Sequence, residues 1–353
     1  MIVSSVKLSE GEILFMQPFK FSGISLSNRK IINIDLKSGK HSGRGEAAPL
    51  EFFGTESYSF AIETLQKFVN DFSEFEIESL DDIINLLDKN AKELSPCSTA
   101  AFEQALIALY SNYTGQKESQ VYRKIFNIID TEGIKEFPET KIPLNSVIAV
   151  DKKEDIPEKI RNLKNQGYRA FKLKIGRASL SEDIEIVALC REISGEDIIL
   201  RLDANCKLSG ENIINAINSF DRFNPQYIEQ PVKDLSELKR FHESIKIKLA
   251  ADEQILSVSE AEKIIENKLA NFLIIKPPFL GGVIKSYRLM RKAEKKGIFC
   301  TITSALQSYS GMLPSIYLTS NTNHSGYAGF DTIKLLSNQE TAIIENGNLI
   351  LDL

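Results

Sequence analysis

Charged residues close five apolar runs of the chain at regular intervals. The five are Lys174, Asp203, Glu229, Asp252 and Lys276. Successive members lie 29, 26, 23 and 24 residues apart, and each interval holds one helical pattern. This spacing is typical of repeated strand–helix units of about 30 residues. Repeated units of this kind can form a (β/α) barrel, in which catalytic side chains lie at the carboxyl ends of the strands. We therefore expect the five groups to meet at one site.

The three acidic members of this series predict a metal site. Asp203, Glu229 and Asp252 offer only carboxylate oxygens, with no histidine or cysteine among them. Hard oxygen donors suit Mg²⁺, with Mn²⁺ as a substitute, and leave coordination positions for water and substrate oxygens. The predicted metal ligands are therefore these three carboxylates.

The lysines predict proton-transfer chemistry. Lys172 and Lys174 lie two residues apart in one strand, so their side chains share a face. Burying two ammonium groups costs on the order of several kcal/mol unless anions lie nearby. Mutual repulsion and desolvation predict a lowered pKa for one of the amines, which could then act as a base near neutral pH. With Lys276 on the opposite side of the barrel mouth, a metal flanked by two amines suits removal of a proton next to a carboxylate.

Each element alone has a simpler interpretation. An Asp after a strand is usually a helix cap, and a lone Lys-x-Lys is usually a solvated strand edge. Five charged groups in step favour the site over these alternatives. Gly281–Gly282 could hold a phosphate at a helix start, but a tight barrel turn after Pro277–Pro278 is the favoured interpretation.

Composition bounds the class of protein. The 353 residues are 42% hydrophobic and 26% charged, with a net charge of −5. These values favour a globular enzyme of roughly two domains and argue against a general nucleic-acid or membrane surface. Scattered cysteines without metal spacing, an N-terminus without an apolar signal and no long apolar run predict a cytoplasmic location. We expect a small carboxylate as substrate, and the oligomeric state stays open.

The pattern of elements changes near residue 135. Residues 1–135 predict an α+β domain, with a strand at 31–36 and helices at 57–72, 80–94 and 98–113. Strict strand–helix alternation at 136–332 predicts an α/β barrel domain that begins with a strand at 143–149. The tail, 333–353, alternates again and is expected to return to the first domain as a hairpin.

The series of two lysines and three acids at successive strand ends resembles the enolase superfamily, muconate lactonising subgroup, and the resemblance covers essentially the whole chain. Four short motifs carry a narrower resemblance: Gly-Glu-Ala-Ala-Pro-Leu at 45–50, Pro-Leu-Asn at 143–145, Thr-Ser-Ala-Leu at 303–306 and Gly-Phe-Asp-Thr at 329–332. Through them the sequence is most similar, within the subgroup, to o-succinylbenzoate synthases.

The resemblance implies an architecture, a set of site residues and an activity. The fold would be a (β/α)7β TIM-like barrel with an N-terminal α+β capping domain. The activity would be that of a carbon–oxygen lyase of menaquinone biosynthesis: Mg²⁺-dependent dehydration of 2-succinyl-6-hydroxy-2,4-cyclohexadiene-1-carboxylate through an enediolate. The implied roles are metal ligation by Asp203, Glu229 and Asp252, catalysis by Lys174 and Lys276, and substrate binding by Lys172, Asn205, Ser304, Phe52 and Phe53, with the loops at 19–23 and 52–56 covering the site.

Two departures leave the substrate open. The loop after Pro49–Leu50 usually reads Pro-Gly-Phe-Ser in this family and here reads Glu-Phe-Phe-Gly-Thr, and Gln307–Ser308 replaces a common Glu-Ser pair. An N-acylamino acid racemase or dipeptide epimerase is the first alternative, and a muconate-type cycloisomerase is the next. A dipeptide epimerase would usually show Asp-x-Asp near strand 8, whereas this chain has Phe330-Asp331-Thr332.

Overall fold

The computed structural model describes residues 1–21, 24–148, 153–177, 179–210, 212–337 and 342–351. The strands are β1 (Ile2–Val3), β2 (Ser5–Phe21), β3 (Ile24–Ser38), β4 (His41–Ala47), β5 (Phe75–Glu76), β6 (Lys141–Pro143), β7 (Asn145–Ile148), β8 (Ala170–Lys174), β9 (Ile199–Asp203), β10 (Tyr227–Glu229), β11 (Leu249–Ala251), β12 (Phe272–Ile275), β13 (Phe299–Ile302), β14 (Ile343–Glu345) and β15 (Asn348–Ile350). The α-helices are α1 (Tyr58–Asn70), α2 (Leu80–Asn90), α3 (Pro96–Thr114), α4 (Glu118–Ile129), α5 (Ile156–Asn165), α6 (Leu180–Ser194), α7 (Ile213–Asn218), α8 (Val258–Asn267), α9 (Val283–Lys295) and α10 (Tyr309–Asn321). Short 3-10 helices lie at Glu51–Phe53, Thr131–Gly133, Lys153–Asp155, Asp221–Phe223, Leu235–Ser244, Pro277–Leu280 and Asp331–Leu335.

The N-terminal capping domain is an antiparallel sheet covered by helices. Strands β2, β3 and β4 pair in that order, and alternate residues of β3 (Ile32, Ile34) are fully buried. Helix α3 packs directly on β4. The approach is close enough that a Cβ atom at Gly45 would lie 1.8 Å from the carbonyl oxygen of Ala101. The small residues of both elements thus let helix and sheet backbones touch.

Seven parallel strands form the barrel. Strands β7 to β13 pair in chain order in one sheet. Isolated parallel bridges, Leu144 with Ala328 and Thr303 with Gly329, join its two edge strands through an eighth segment. The crossover segments between strands carry α5 to α9 together with the 3-10 helix Leu235–Ser244. The predicted (β/α)7β barrel with an N-terminal capping domain is confirmed.

A buried arginine joins the capping domain to the barrel. Arg29 of β3 donates hydrogen bonds to the carbonyl oxygens of Ala48 and Ala305, the second of which follows β13. Nearby, the Glu46 carboxyl group accepts a hydrogen bond of 2.9 Å from the Ser308 N–H at the start of α10. The two side chains hold the loop after strand seven of the barrel against the capping sheet.

The C-terminal tail contacts both domains. Ser337 N–H donates to the Leu14 carbonyl at 2.8 Å, and Leu336 bridges Phe15, so the tail meets β2 of the capping sheet. The hairpin β14–β15 instead pairs with β6, at the entry to the barrel. Residues 336–337 thus contact the capping sheet, whereas the hairpin pairs with a strand at the barrel entry. The assignment of the tail to the first domain and the domain boundary near residue 135 stay predictions.

Within the described ranges, no helix combines the length and apolar character needed to cross a bilayer. The residue predicted to end the first barrel strand, Ala149, lies outside those ranges.

Candidate active site

Three of the predicted residues stand side by side at the end of adjacent strands. Lys174 of β8 pairs in register with Asp203 of β9, and Asp203 pairs with Glu229 of β10. Asp252 directly follows β11, and Lys276 directly follows β12. The five charged groups therefore lie at the carboxyl ends of five adjacent strands, as the spacing predicted.

Lys172 enters the cluster from one layer below. Its Nζ lies 2.9 Å from Asp203 Oδ2 and 2.6 Å from Glu229 Oε1. In its own layer it pairs with Arg201, which is fully buried and lies over the Tyr227 ring at 5.3 Å. Arg201 and the backbone of Lys172 thus lie one layer below the carboxylates, and the long Lys172 side chain reaches up to Asp203 and Glu229.

Lys174 belongs to a polar chain on one side of the cluster. Its Nζ donates to Asp203 Oδ2 at 2.6 Å and to Asn205 Oδ1 at 2.7 Å. Asn205 Nδ2 in turn donates to Glu253 Oε1 at 2.7 Å. The Lys174 side chain is 36% exposed, twice the 17% of the other two lysines, Lys172 and Lys276. Lys174 is thus the site amine most open to an incoming ligand.

Lys276 lies on the other side of the cluster and contacts the capping domain. Its Nζ donates to Asp252 Oδ1 and lies 5.5 Å from the centroid of the Phe53 ring. Phe53 packs on Phe52 at a centroid distance of 4.9 Å. A Cβ at Gly54, where φ is +87°, would strike Leu256 of the barrel. The capping loop therefore reaches the barrel mouth through Phe53 and Gly54, and substrate binding by Phe52 and Phe53 stays a prediction.

The acids around Lys172 determine the direction in which its pKa shifts. Burial lowers the pKa of Lys172, but attraction to Asp203, Glu229 and Asp252 outweighs it, and the pKa lies well above its ordinary value. The lowered pKa predicted for one of the two adjacent amines therefore does not fall on Lys172, because three carboxylates surround its ammonium group.

The two central carboxyl groups shift in opposite directions. Burial raises the pKa of Asp203, but Lys172 and Lys174 overcome this effect and hold it well below the ordinary value. Burial and the neighbouring Asp203 raise the pKa of Glu229 well above its ordinary value. Because Asp203 and Glu229 lie side by side in a buried cluster, the ionised form of Asp203 disfavours ionisation of Glu229.

The donor set fits a hard divalent cation. Glu229 Oε2 is buried and has no hydrogen-bond partner among the described residues. Such an oxygen is costly unless a cation or water completes its interactions. In the described part of the chain, no three acidic, histidine or cysteine side chains already converge as a metal cluster. Lysine ammonium groups contact the carboxylates instead. The side chains that would hold the metal are Asp203, Glu229 and Asp252.

Two further residues shape the site and were not predicted. Gln230, fully buried with φ of +38°, accepts a hydrogen bond at Oε1 from the Asp252 N–H at 2.9 Å and donates from Nε2 to the Val232 carbonyl at 2.9 Å. Glu253 completes the chain through Asn205. Both directly follow a predicted ligand in sequence, but no spacing or charge pattern distinguished them.

The remaining predicted residues lie toward strand eight and the capping sheet. Ser304 is buried and shares a hydrogen bond with the Thr332 hydroxyl, so it does not join the lysine–carboxylate cluster directly. Of the loop at 19–23, residues 22 and 23 lie outside the described ranges, and the Phe19 ring stacks on Phe15 at 5.7 Å.

The carboxylate that follows strand eight is held by internal partners. Asp331 accepts hydrogen bonds from Ser146 Oγ at 2.6 Å and from the Tyr168 hydroxyl. Lys334 Nζ lies 3.2 Å from the same carboxylate. Three partners therefore satisfy this side chain.

Comparison with known proteins gives related sequences across nearly the whole chain. The family described as "Enolase C-terminal domain-like" matches residues 155–351, more than half of the chain. The "D-Ala-D/L-Ala epimerase" of Cytophaga hutchinsonii is 26% identical over 94% of this chain and 87% of its own. The "o-succinylbenzoate synthase" of Desulfotalea psychrophila is also 26% identical, over 88% of this chain and 89% of its own.

A solved structure has the same fold. The dipeptide epimerase from Cytophaga hutchinsonii, complexed with Mg and the dipeptide D-Ala-L-Val, superposes with a TM-score of 0.81 at 22% identity, covering 99% of this chain and 94% of that one. The predicted family is confirmed by the matched region and the shared architecture. The chain is a member of the enolase superfamily, in its muconate lactonising-like subgroup.

Proposed function

We propose that the protein is an o-succinylbenzoate synthase, which dehydrates 2-succinyl-6-hydroxy-2,4-cyclohexadiene-1-carboxylate with Mg²⁺ as cofactor. The observation that carries the proposal is that two lysines are held by different carboxylates of one cluster, Lys174 by Asp203 and Lys276 by Asp252. Amines on two sides of a carboxylate cluster suit removal of a proton next to a substrate carboxylate.

Asp203, Glu229 and Asp252 would hold Mg²⁺. When bound, Mg²⁺ supplies positive charge against the negative charge that develops on the substrate carboxylate. Related solved structures that contain Mg together with dipeptides support this cofactor. Lys172 contacts Asp203 and Glu229 and adds a positive charge beside these two carboxylates.

The two amines flanking the substrate have separate tasks. Lys174 Nζ removes the proton next to the carboxylate, the ring C–O bond then breaks as a C=C bond forms, and the same amine returns the proton to the departing hydroxide, which leaves as water. Lys276 stays protonated on the other side, since Asp252 and the face of the Phe53 ring both stabilise an ammonium group. Atoms and charge balance without any redox partner.

The hydrogen bonds and the ion pair that Asp331 makes within the protein support the synthase over a dipeptide epimerase. A dipeptide carries a free ammonium group, which needs a carboxylate partner when it is bound away from water. Asp331, where the Asp-x-Asp motif would lie, is already satisfied by Ser146, Tyr168 and Lys334. The substrate proposed here has no ammonium group and does not need this partner.

An N-acylamino acid racemase or dipeptide epimerase is the second candidate. Its supporting observation is the same pair of flanking lysines, which could exchange protons with the two enantiomers. Relatives that carry an epimerase name and a synthase name are equally similar to this chain, at 26% identity.

A substrate panel tests the proposal. The purified, Mg²⁺-loaded enzyme is assayed for dehydration by loss of the diene absorbance, and for α-proton exchange in D₂O with N-succinylamino acids and L-Ala-L-Glu. We expect rapid dehydration and slower or no exchange. Lys174→Ala serves as the inactive control. Exchange of amino acid derivatives without any dehydration would refute the synthase and favour the racemase.

A further inference from the structure

The segment that carries Lys276 is a tight turn with its own hydrogen bonds. The Phe279 N–H donates to the Lys276 carbonyl at 2.9 Å, and the Gly282 N–H donates to the Pro277 carbonyl at 2.9 Å. Residues 277–282 are all buried. Gly281 and Gly282 have φ of +87° and +110°, which favour glycine. The predicted tight turn is confirmed, and it leads directly into α9.

The N-terminus of α9 is capped by a residue from the other domain. Glu103, on α3 of the capping domain, is 2% exposed. Its Oε1 accepts a hydrogen bond from the Val283 N–H at 2.9 Å, and its Oε2 accepts one from the Ile284 N–H at 3.3 Å. These N–H groups have no partner inside the helix. The carboxyl group thus takes the place that a phosphate could occupy at a free helix start.

The contact is too close for any side chain at the second glycine. A Cβ on Gly282 would lie 2.3 Å from Glu103 Oε2. The turn, the helix start and the capping helix therefore form one packed unit. A displacement of Glu103 would be transmitted through six buried residues to the backbone of Lys276.

We propose that Glu103 is the positioning residue for Lys276: a capping-domain carboxyl group that fixes the backbone from which the second site amine projects. The inference rests on the proposed function only in giving Lys276 a role in the reaction. Lys174 projects from β8, and among the residues that the structure describes no hydrogen bond of this kind joins β8 to α3. Loss of Glu103 should therefore disturb one amine of the pair and not the other.

The experiment compares the chemical reactivity of the two amines. Wild type and Glu103→Gln, both with Mg²⁺, are treated with acetic anhydride, and modification of each lysine is followed by mass spectrometry. In the variant an amide NH₂ group faces one of the two N–H donors, which leaves that donor unpaired. We expect the rate of Lys276 modification to rise about tenfold, with that of Lys174 within about twofold.

Matched controls separate positioning from general loosening. Asp82→Asn weakens a carboxylate cap of the same kind on α2, where Asp82 accepts from the Ser79 N–H at 2.8 Å. Gly282→Ala should reproduce the Glu103→Gln effect by displacing the carboxyl group. Gly326→Ala strains a glycine with φ of +95° that has no neighbour within 4 Å of its Cβ position. Neither Asp82→Asn nor Gly326→Ala should change Lys276 reactivity.

The outcomes are distinct. The proposal would be overturned if the modification rates of Lys174 and Lys276 rose equally. It would also be overturned if the modification rate of Lys276 stayed unchanged in Glu103→Gln or in Gly282→Ala. If Glu103→Gln does not fold, Gly282→Ala carries the same comparison. Because labelling needs no substrate, the result stands even if the enzyme fails to dehydrate its proposed substrate. A functioning synthase should in addition lose about 10- to 100-fold in kcat, since a displacement of about 1 Å can cost that much.

Discussion

Replacing the two flanking lysines is expected to have unequal effects on dehydration. Lys174 is the more exposed amine, at 36%, and its partners are Asp203 and Asn205. Removing the group that both takes and returns the proton should cost roughly 10²–10⁴-fold in kcat, which corresponds to about 3–5.5 kcal/mol of activation free energy. Lys174→Ala is therefore expected to be nearly inactive.

Lys276→Arg should be much less damaging. Arginine keeps the positive charge beside Asp252 and can stack on the Phe53 ring, but it cannot serve as a base. We expect kcat for dehydration to fall only about 10- to 30-fold, because the larger guanidinium group must fit where the Lys276 side chain is 17% exposed.

The assay follows single-turnover dehydration in both variants and α-proton exchange of N-succinylamino acid enantiomers in D₂O. Mg²⁺ affinity is measured alongside, so that a lost cofactor is not mistaken for a lost base. Dehydration that survives in Lys174→Ala but disappears in Lys276→Arg would reverse the assignment of the base. Equal losses in both would favour two-base chemistry of the racemase kind.

Three other predictions concern the metal, the capping loop and pH. EDTA should abolish activity and Mg²⁺ restore it, and Glu229→Gln should weaken Mg²⁺ binding in calorimetry without changing the circular dichroism spectrum; full activity after exhaustive chelation would contradict the metal site. Phe53→Ala should lower kcat/KM about 2- to 30-fold, the value of a cation–π contact of about 0.5–2 kcal/mol, at unchanged Mg²⁺ affinity and nearly unchanged Tm; an early-melting variant with normal kinetics would mean that the ring only packs. Burial raises the pKa of Glu103 from 4.5 to about 8, so its ionisation is harder in the folded state than in the unfolded state. As the pH rises from about 4.5 to 8, the free energy of unfolding of wild type should fall relative to that of Glu103→Gln by up to about 1.4 kcal/mol per pH unit. The same pH dependence of the free energy of unfolding in both proteins would contradict this prediction.

The barrel could be predicted because its signals are local and repeated. Each strand is an apolar run ended by a charged residue, and each helix has its own period, so spacing alone orders them. Helix α4 (Glu118–Ile129) was missed although Val121, Tyr122, Ile125 and Phe126 are buried at helical spacing. The segment Leu235–Ser244 is a 3-10 helix, which helical periodicity in the sequence does not distinguish from an α-helix over ten residues.

The site could be predicted in its members but not in its pairings. The sequence places Lys172 beside Lys174, whereas strand register and side-chain length bring its ammonium group to Asp203 and Glu229. Gln230 and Glu253 join the site through hydrogen bonds to Asp252 and Asn205, which lie 22 and 48 residues away in the chain. The partnership of Glu103 with α9 joins positions 180 residues apart. Such contacts depend on how the two domains dock, which no local pattern encodes.

The docking through Arg29 has a consequence for how the molecule comes apart. Its guanidinium group is buried and binds the carbonyl oxygens of Ala48 and Ala305, and Glu46 binds the backbone of Ser308. If the capping sheet detached alone, the carbonyl of Ala305 and the N–H of Ser308 would lose these partners, and a hydrogen bond to a charged group contributes about 1.5–3 kcal/mol. The capping sheet and the barrel are therefore expected to stabilise each other. The chain should melt in one cooperative transition, with the capping sheet and the barrel losing their structure at the same temperature.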